Sequence, residues 1–287
     1  MTVPVLFPNL RGPSVTPAGG PAVTTRSRAA DCGPEFDHLM HWVPDLTAAA
    51  AAYRAAGLRL RAGGVRPGSG VRHGAWWAGN GCYVEALEVT DPAQAAASTL
   101  YGTFTRHLAP AVSTTLSGGG GALNFAVLVE DVAEATTRMR AAGIAADWHT
   151  VRLPAGRASV PAFRIGWPTE GPRWAPFVMS YHPAVRLAQR AAGLRRRRCR
   201  VVPGVGQLVV EVPDPVAAAA WLRAALDLPP VRLTRPVVTL GWCAAAFVRG
   251  PADRITTVTL TDHAGTGRVD TVVAGLRYTT SRTGSAP

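Results

Sequence analysis

Phe36-Asp37-His38-Leu39-Met40-His41-Trp42-Val43-Pro44-Asp45 carries an apolar stretch into an aspartate, and the arrangement returns twice. The later copies are Leu123-Asn124-Phe125-Ala126-Val127-Leu128-Val129-Glu130-Asp131 and Gly206-Gln207-Leu208-Val209-Val210-Glu211-Val212-Pro213-Asp214. The three aspartates lie 86 and 83 residues apart, and seven places before each stands a polar residue, His38, Asn124 or Gln207. Each aspartate is placed to cap the backbone N–H groups of an Ala-rich helix, over 47–56, 132–142 and 216–226. Two of these helices run into Ala-Ala-Gly, at Gly57 and Gly143, and a glycine just past a helix supplies the left-handed residue that stops it. Extended segments rich in Val, Trp, Phe and Thr follow, so the unit reads βαβββ. It is too long for ankyrin or tetratricopeptide arrays, whose repeats run about 33 or 34 residues. One such unit covers one sheet face with its helix and leaves the other bare, so units must pair, and pairing creates a cleft.

Side chains alternate faces along a strand. His38, Met40 and Trp42 therefore share one face, while Leu39, His41 and Val43 share the other with their counterparts Phe125, Val127, Val129 and Leu208, Val210, Val212. The second set is expected to pack on the helices. The first, headed by His38, Asn124 and Gln207, is expected to line the cleft. In Cys82-Tyr83-Val84-Glu85-Ala86-Leu87-Glu88-Val89, Tyr83, Glu85 and Leu87 share a face. A carboxylate on an otherwise apolar strand requires a partner, which a metal, an Arg or a hydroxyl would satisfy.

These residues carry a resemblance to a known family. Asp37-His38, Val43-Pro44-Asp45-Leu46, Gly63-Gly64 and Tyr83-Val84-Glu85-Ala86-Leu87 resemble the vicinal oxygen chelate superfamily, and most closely its glyoxalase-like branch. The resemblance covers residues 36 to about 183, and 204–262 as a fainter third copy. It implies an α+β fold of repeated βαβββ modules, two of them paired around a cleft, with a third, degenerate module. It also implies that His38 and Glu85 offer ligands to a divalent metal, whether iron, manganese, zinc, nickel or cobalt. The second module departs from this pattern. Asn124 stands where His38 does, and aligning Tyr83-Val84-Glu85 with Phe177-Val178-Met179 puts Met179 in the place of Glu85. Neither is a strong metal ligand. His73 and His182 are the candidate replacements: with His38 and Glu85, either gives two imidazoles and a carboxylate, a facial set that leaves positions open on the metal. Each also reads as a loop histidine bonded to backbone or water. Glu85 and His73 are the candidate acid–base groups. Asn124, Tyr181, Trp77 and Arg72 are the candidate substrate contacts.

With 287 residues and 47% hydrophobic content the chain can bury a sizeable core in one or two domains. Its organisation reads as a Pro-rich, disordered tail over 1–33, paired modules over 34–184 (34–90 and 121–184), an Arg-rich linker over 185–203 and a third module over 204–287. The third module is left to pair across a homodimer or to cap the first cleft with Gln207 and Glu211. Gly118 to Gly121 lacks the Lys-Ser or Lys-Thr of a phosphate loop and reads as a module linker. No signal peptide or membrane span is evident, and Cys32, Cys82, Cys199 and Cys243 are scattered, so a cytoplasmic setting is expected. The net charge is +12, yet every basic residue counted is Arg, as a GC-rich coding bias would give. The run Arg195-Arg196-Arg197-Arg198-Cys199-Arg200 has no aromatic residue interleaved, so nucleic acid is not the expected partner.

Two function classes remain. One is a metal-dependent isomerase, lyase, epimerase or dioxygenase acting on a small oxygenated metabolite, with Glu85 or a neighbour moving a proton. The basic balance favours an anionic substrate, and Arg59, Arg61, Arg66 and Arg72 are placed to approach it. The other is a metal-free binding or drug-sequestering protein with a degenerate cleft, which Asn124 and Met179 favour.

Overall fold

The computed structural model describes residues 33–65, 68–98, 102–155, 158–183, 185–186, 202–229, 235–251, 253–261 and 268–281. Most of the expected tail, Arg66, and the Arg195 to Arg200 run with most of its linker lie outside them. Each repeated aspartate caps its helix. The Asp45 carboxylate accepts from the Thr47 and Ala48 N–H groups at 2.7 and 3.2 Å, ahead of α1 (Leu46–Ala55). Those N–H groups, with Arg72 adding its charge, hold its carboxyl below the usual range. Asp131 does the same for α4 (Val132–Ala141), with the Ala133 and Glu134 N–H groups at 2.7 and 3.1 Å. Asp214 caps α5 (Pro215–Ala225) through Val216 and Ala217 at 3.0 and 3.1 Å. At the far ends Gly57 and Gly143 take left-handed φ values of 77° and 79°, and Asp227 fills the same role after α5 with φ 52°.

The first module is β1 (Glu35–Trp42), α1, β2 (Arg61–Val65), β3 (Val71–Trp77) and β4 (Tyr83–Val89). β1 runs parallel to β4, with His38 opposite Tyr83 and Met40 opposite Glu85, and β3 and β2 follow antiparallel. The second module repeats this with β5 (Gly121–Leu128), α4, β6 (Ala146–Ala155), β7 (Ala158–Pro168) and β8 (Phe177–Tyr181). β1 and β5 join the two antiparallel, Leu39 facing Phe125.

Among the described residues of 204–280, six strands pair with one another. β9 (Gly204–Val212) runs parallel to β11 (Cys243–Arg249), which pairs with β10 (Val237–Leu240). β12 (Arg254–Thr261) runs parallel to β14 (Leu276–Thr280), which pairs with β13 (Asp270–Val273). β9 and β12 are antiparallel, Leu208 facing Val258, as Leu39 faces Phe125 in the first pair. β12, β13 and β14 thus repeat the first strand and the last hairpin of a module. Among the described residues no helix or second strand stands between β12 and β13. Gln207 and its unit therefore have a partner within the chain. Ile255 of β12 meets Ala122 of β5, which makes one 14-stranded sheet of both pairs.

The outer core gathers Leu39, Phe125, Val127, Leu208, Val210 and Val212 beneath the helices. α1 contributes Leu46, Ala49 and Tyr53, α4 Val132, Ala135 and Met139, and α5 Ala218 and Leu222, the stripes expected of amphipathic helices. A second core lies on the cleft face and joins Met40, Trp42, Leu87, Leu123, Ile165 and Trp167. It is covered by an insertion between the first two modules, α2 (Pro92–Ala97) and the longer α3 (Gly102–Ser117). From α3, Val112 is buried, and Leu108, Ala111 and Leu116 pack beside it. No helix among the described residues is long and apolar enough to cross a membrane.

Candidate functional site

β1, β3 and β4 lie side by side, and their alternation turns His38, His73, Tyr83 and Glu85 to the cleft face. The side chains of His38 and His73 are each 6% exposed and that of Glu85 is 14% exposed. The Glu85 carboxylate sits between the two imidazoles, with Oε1 3.2 Å from His73 Nδ1 and Oε2 3.8 Å from His38 Nε2. Strict alternation would turn Asp37 away. The β1 register instead shifts between Phe36 and His38, and the extra residue of a β-bulge re-aims its side chain. Asp37 Oδ2 thereby lies 2.7 Å from His38 Nδ1 and accepts the Tyr181 O–H at 2.9 Å.

An ionised carboxylate only accepts, so these bonds assign the protons. His38 donates Nδ1–H to Asp37 and turns Nε2 toward Glu85, while His73 donates Nδ1–H to Glu85 Oε1. Rings wall the cluster. Tyr83 stacks on His38 and on Trp77, each at 4.5 Å between centroids, and Phe177 meets His38 edge-on at 5.5 Å. Burial first, then the neighbouring Tyr181, Asp37 and Glu85, push the Tyr83 phenol well above its ordinary value, so it stays protonated.

The structure therefore brings together His38, Glu85, His73 and Tyr181, with Trp77 behind Tyr83. Arg72 turns to the opposite face, where it donates to Glu88 Oε2 from Nε at 2.9 Å, and Glu88 also accepts the Leu46 N–H at 2.9 Å. His182 is exposed just beyond β8, its backbone N–H donating to the Ala162 carbonyl at 2.8 Å. Asn124 is 2% exposed on the second module's side of the cleft. The partner of Ala126 on β8 is Phe177, as the partner of Met40 on β4 is Glu85. The register thus puts Phe177 in the place of Glu85, where the sequence alignment put Met179. Asp37, Tyr83 and Phe177 are the participants that sequence reasoning passed over. Asp37 stood in the quoted motif, but the bulge that aims it leaves no mark in the residue pattern.

For a metal, the donor atoms facing each other are His38 Nε2 and Glu85 Oε2. Their 3.8 Å separation can be spanned by two metal–ligand bonds of about 2.0–2.2 Å, and a carboxylate on the far nitrogen of a ligating His is the usual support. The set stops there. His73 is bound to Glu85, the second module offers Asn124 and Phe177, and no group of three or more His, Cys, Asp or Glu that could hold an ion occurs among the described residues. Catalytic centres such as those of zinc take three protein ligands, so the residues present do not complete a chelate.

Paired βαβββ modules around a polar cleft define a vicinal oxygen chelate protein. The chain belongs to the glyoxalase-like domain family, which matches residues 36–226. Among curated proteins none matches it. Among solved structures, it is similar to a hypothetical protein from Staphylococcus aureus, with 13% identity, a TM-score of 0.67, and coverage of 86% of this chain and 98% of that one. A mutant of 4-hydroxymandelate synthase from Streptomyces coelicolor shares 14% identity at a TM-score of 0.46, over 81% of this chain and 72% of that one. Methylmalonyl-CoA epimerase from Mycobacterium tuberculosis shares 17% identity at a TM-score of 0.36, over 53% of this chain and 91% of its own. At these identities the likeness is one of fold.

Proposed function

We propose that the protein is an enzyme that moves a proton at a carbon of a small oxygenated metabolite, as an isomerase, epimerase or lyase does, with Glu85 as the group that takes and returns it. The observation that carries this reading is the seating of Glu85 between His38 and His73. His73 Nδ1–H holds Oε1, and Oε2, the atom turned toward His38, is the one that takes the proton. A proton collected on Oε2 faces the His38 Nε2 lone pair, and Asp37 on the other nitrogen would stabilise the imidazolium that forms on transfer. A general base positioned in this way contributes about 10²–10⁴-fold to rate. The net charge of +12 draws anionic substrates toward the protein.

The test can be run with the substrate unidentified. Wild type and Glu85→Gln are incubated in D2O with a library of hydroxy acids, keto acids and thioesters, and exchange of carbon-bound hydrogen is followed by NMR. Exchange of at least one compound, slowed about 100-fold or more in Glu85→Gln, is the expected result. Exchange that proceeds equally in both proteins would refute the role of Glu85, and exchange of nothing would favour a cleft that binds without chemistry.

The spacing of His38 Nε2 and Glu85 Oε2 favours a second reading, in which these two atoms hold a divalent ion and substrate oxygens complete its shell. The ion would supply Lewis acidity toward a vicinal pair of oxygens. Elemental analysis after incubation with iron, manganese, zinc, nickel or cobalt and desalting decides it. About one equivalent retained by wild type and lost from folded His38→Ala and Glu85→Ala supports the ion; none retained by wild type sinks it.

A further inference from the structure

Beside Phe177, a pocket of about 210 Å³ opens between α3 and the second module. Leu108 and Ala111 of α3 face Trp167 and Phe177 across it, and Asn124 also lines it. Asn124 is only 2% exposed, and its Oδ1 has no hydrogen-bond partner. Buried polar atoms in folded proteins are almost always paired, so an unanswered amide lining a cavity calls for a ligand group.

We propose that this pocket is a binding site for a small neutral one-ring molecule carrying a hydroxyl, of the phenol type, with the hydroxyl bonded to Asn124. Each part of the class follows from a part of the pocket. A dry cavity of about 150 Å³ takes benzene, so the observed volume holds one ring with a substituent or two. Flat, apolar walls from Trp167 and Phe177 favour a ring over a chain. A hydroxyl both donates and accepts, so it answers Asn124 whichever way the amide is turned. The mouth is formed by the loop after β7 and carries both Glu170 and Arg173. Opposite charges at one mouth select neither anion nor cation, which leaves a neutral ligand.

The pocket shares Phe177 with the wall of the His38 cluster, but neither His38, His73 nor Glu85 lines it. Its test is one of affinity, so it and the proton-transfer reading can fail separately.

The experiment compares p-cresol with toluene, nearly equal in shape, by NMR titration of the full chain. Wild type is expected to bind p-cresol about tenfold more tightly, the worth of one hydrogen bond to a buried acceptor. Asn124→Leu should bring the two affinities together. Ala111→Phe, which fills the pocket from α3 and leaves the residues of β5 unchanged, should abolish both. Equal affinities in wild type, no binding of either compound, an unchanged preference in Asn124→Leu, or undiminished binding in Ala111→Phe would each overturn the proposal. Because the two variants alter different elements, a failure of one to fold leaves the other to decide.

Discussion

Acid should weaken this fold at one identifiable place, His41. The ring is fully buried and lies on the helix side of β1. Its Nδ1 is 2.7 Å from the Tyr53 hydroxyl of α1 and its Nε2 is 3.0 Å from the carbonyl of Ala274. A carbonyl only accepts, so Nε2 carries the proton and Nδ1 accepts from Tyr53, whose oxygen in turn takes the hydroxyl proton of Tyr278. These partners, two phenols and a carbonyl, include no carboxylate to offset a charge. Burial lowers the pKa of His41 from 6.5 to about 4, against smaller opposing effects of the Ala274 and Val273 backbone. The folded pKa is the depressed one, so stability is full above the unfolded value and is lost as pH falls through the folded value. At 1.36 kcal/mol for each tenfold change in proton affinity, the loss between pH 7 and pH 4 is roughly 3 kcal/mol. That is a large share of the 5–15 kcal/mol typical of a domain. Urea unfolding of wild type and His41→Gln at intervals from pH 8 to 4 checks it. Glutamine can donate to Ala274 and accept from Tyr53 but does not titrate. The two stability curves should run parallel above pH 7 and converge or cross below pH 6, their gap changing by roughly 3 kcal/mol in favour of Gln. Curves that stay parallel throughout would refute the reasoning.

Two further predictions concern stability. Asp214→Ala removes the acceptor for the Val216 and Ala217 N–H groups and should lower unfolding free energy by about 1 kcal/mol, measured in denaturant, with the slope unchanged. Gly166→Ala would place a methyl 2.5 Å from Thr136 Cγ2 and 2.9 Å from Val132 Cγ1, between β7 and α4. Overpacking of this kind should cost about 1–3 kcal/mol, and a thermal melt unchanged from wild type would show that α4 yields freely.

What the sequence made legible follows from where the physics is local. Asp45, Asp131 and Asp214 announce strand-to-helix junctions because capping acts within three residues, and period-2 alternation correctly turned Leu39, Phe125 and Leu208 to the helices and His38 to the cleft. α3 was not read, because Pro110 and a run of Ser and Thr resemble a linker and its apolar stripe, Leu108, Val112 and Leu116, acquires meaning only against the cleft core. β12 to β14 carry no such mark, since among the described residues no capped Ala-rich helix stands between them. In the site, His73 meets Glu85 because β3 pairs with β4, and the sequence, in which His73 reads equally as a loop histidine, does not mark that pairing. The aim of Asp37 depends on a bulge set by pairing with β5, and the exchange of Phe177 for Met179 depends on a register that no single segment encodes.

The pairing of β9 with β12 also governs how the molecule responds to dilution. The third module finds its antiparallel mate on the same polypeptide, at the local concentration fixed by a short tether, and it docks through Ile255 and Ala122 onto the pair that carries Glu85. Two pairs joined within one chain need not carry the same residues, as the faces of identical copies must. The first carries its acid and its imidazoles, while the matching positions of the second are Gln207 and Ala246, a difference that assembly from separate identical chains would forbid.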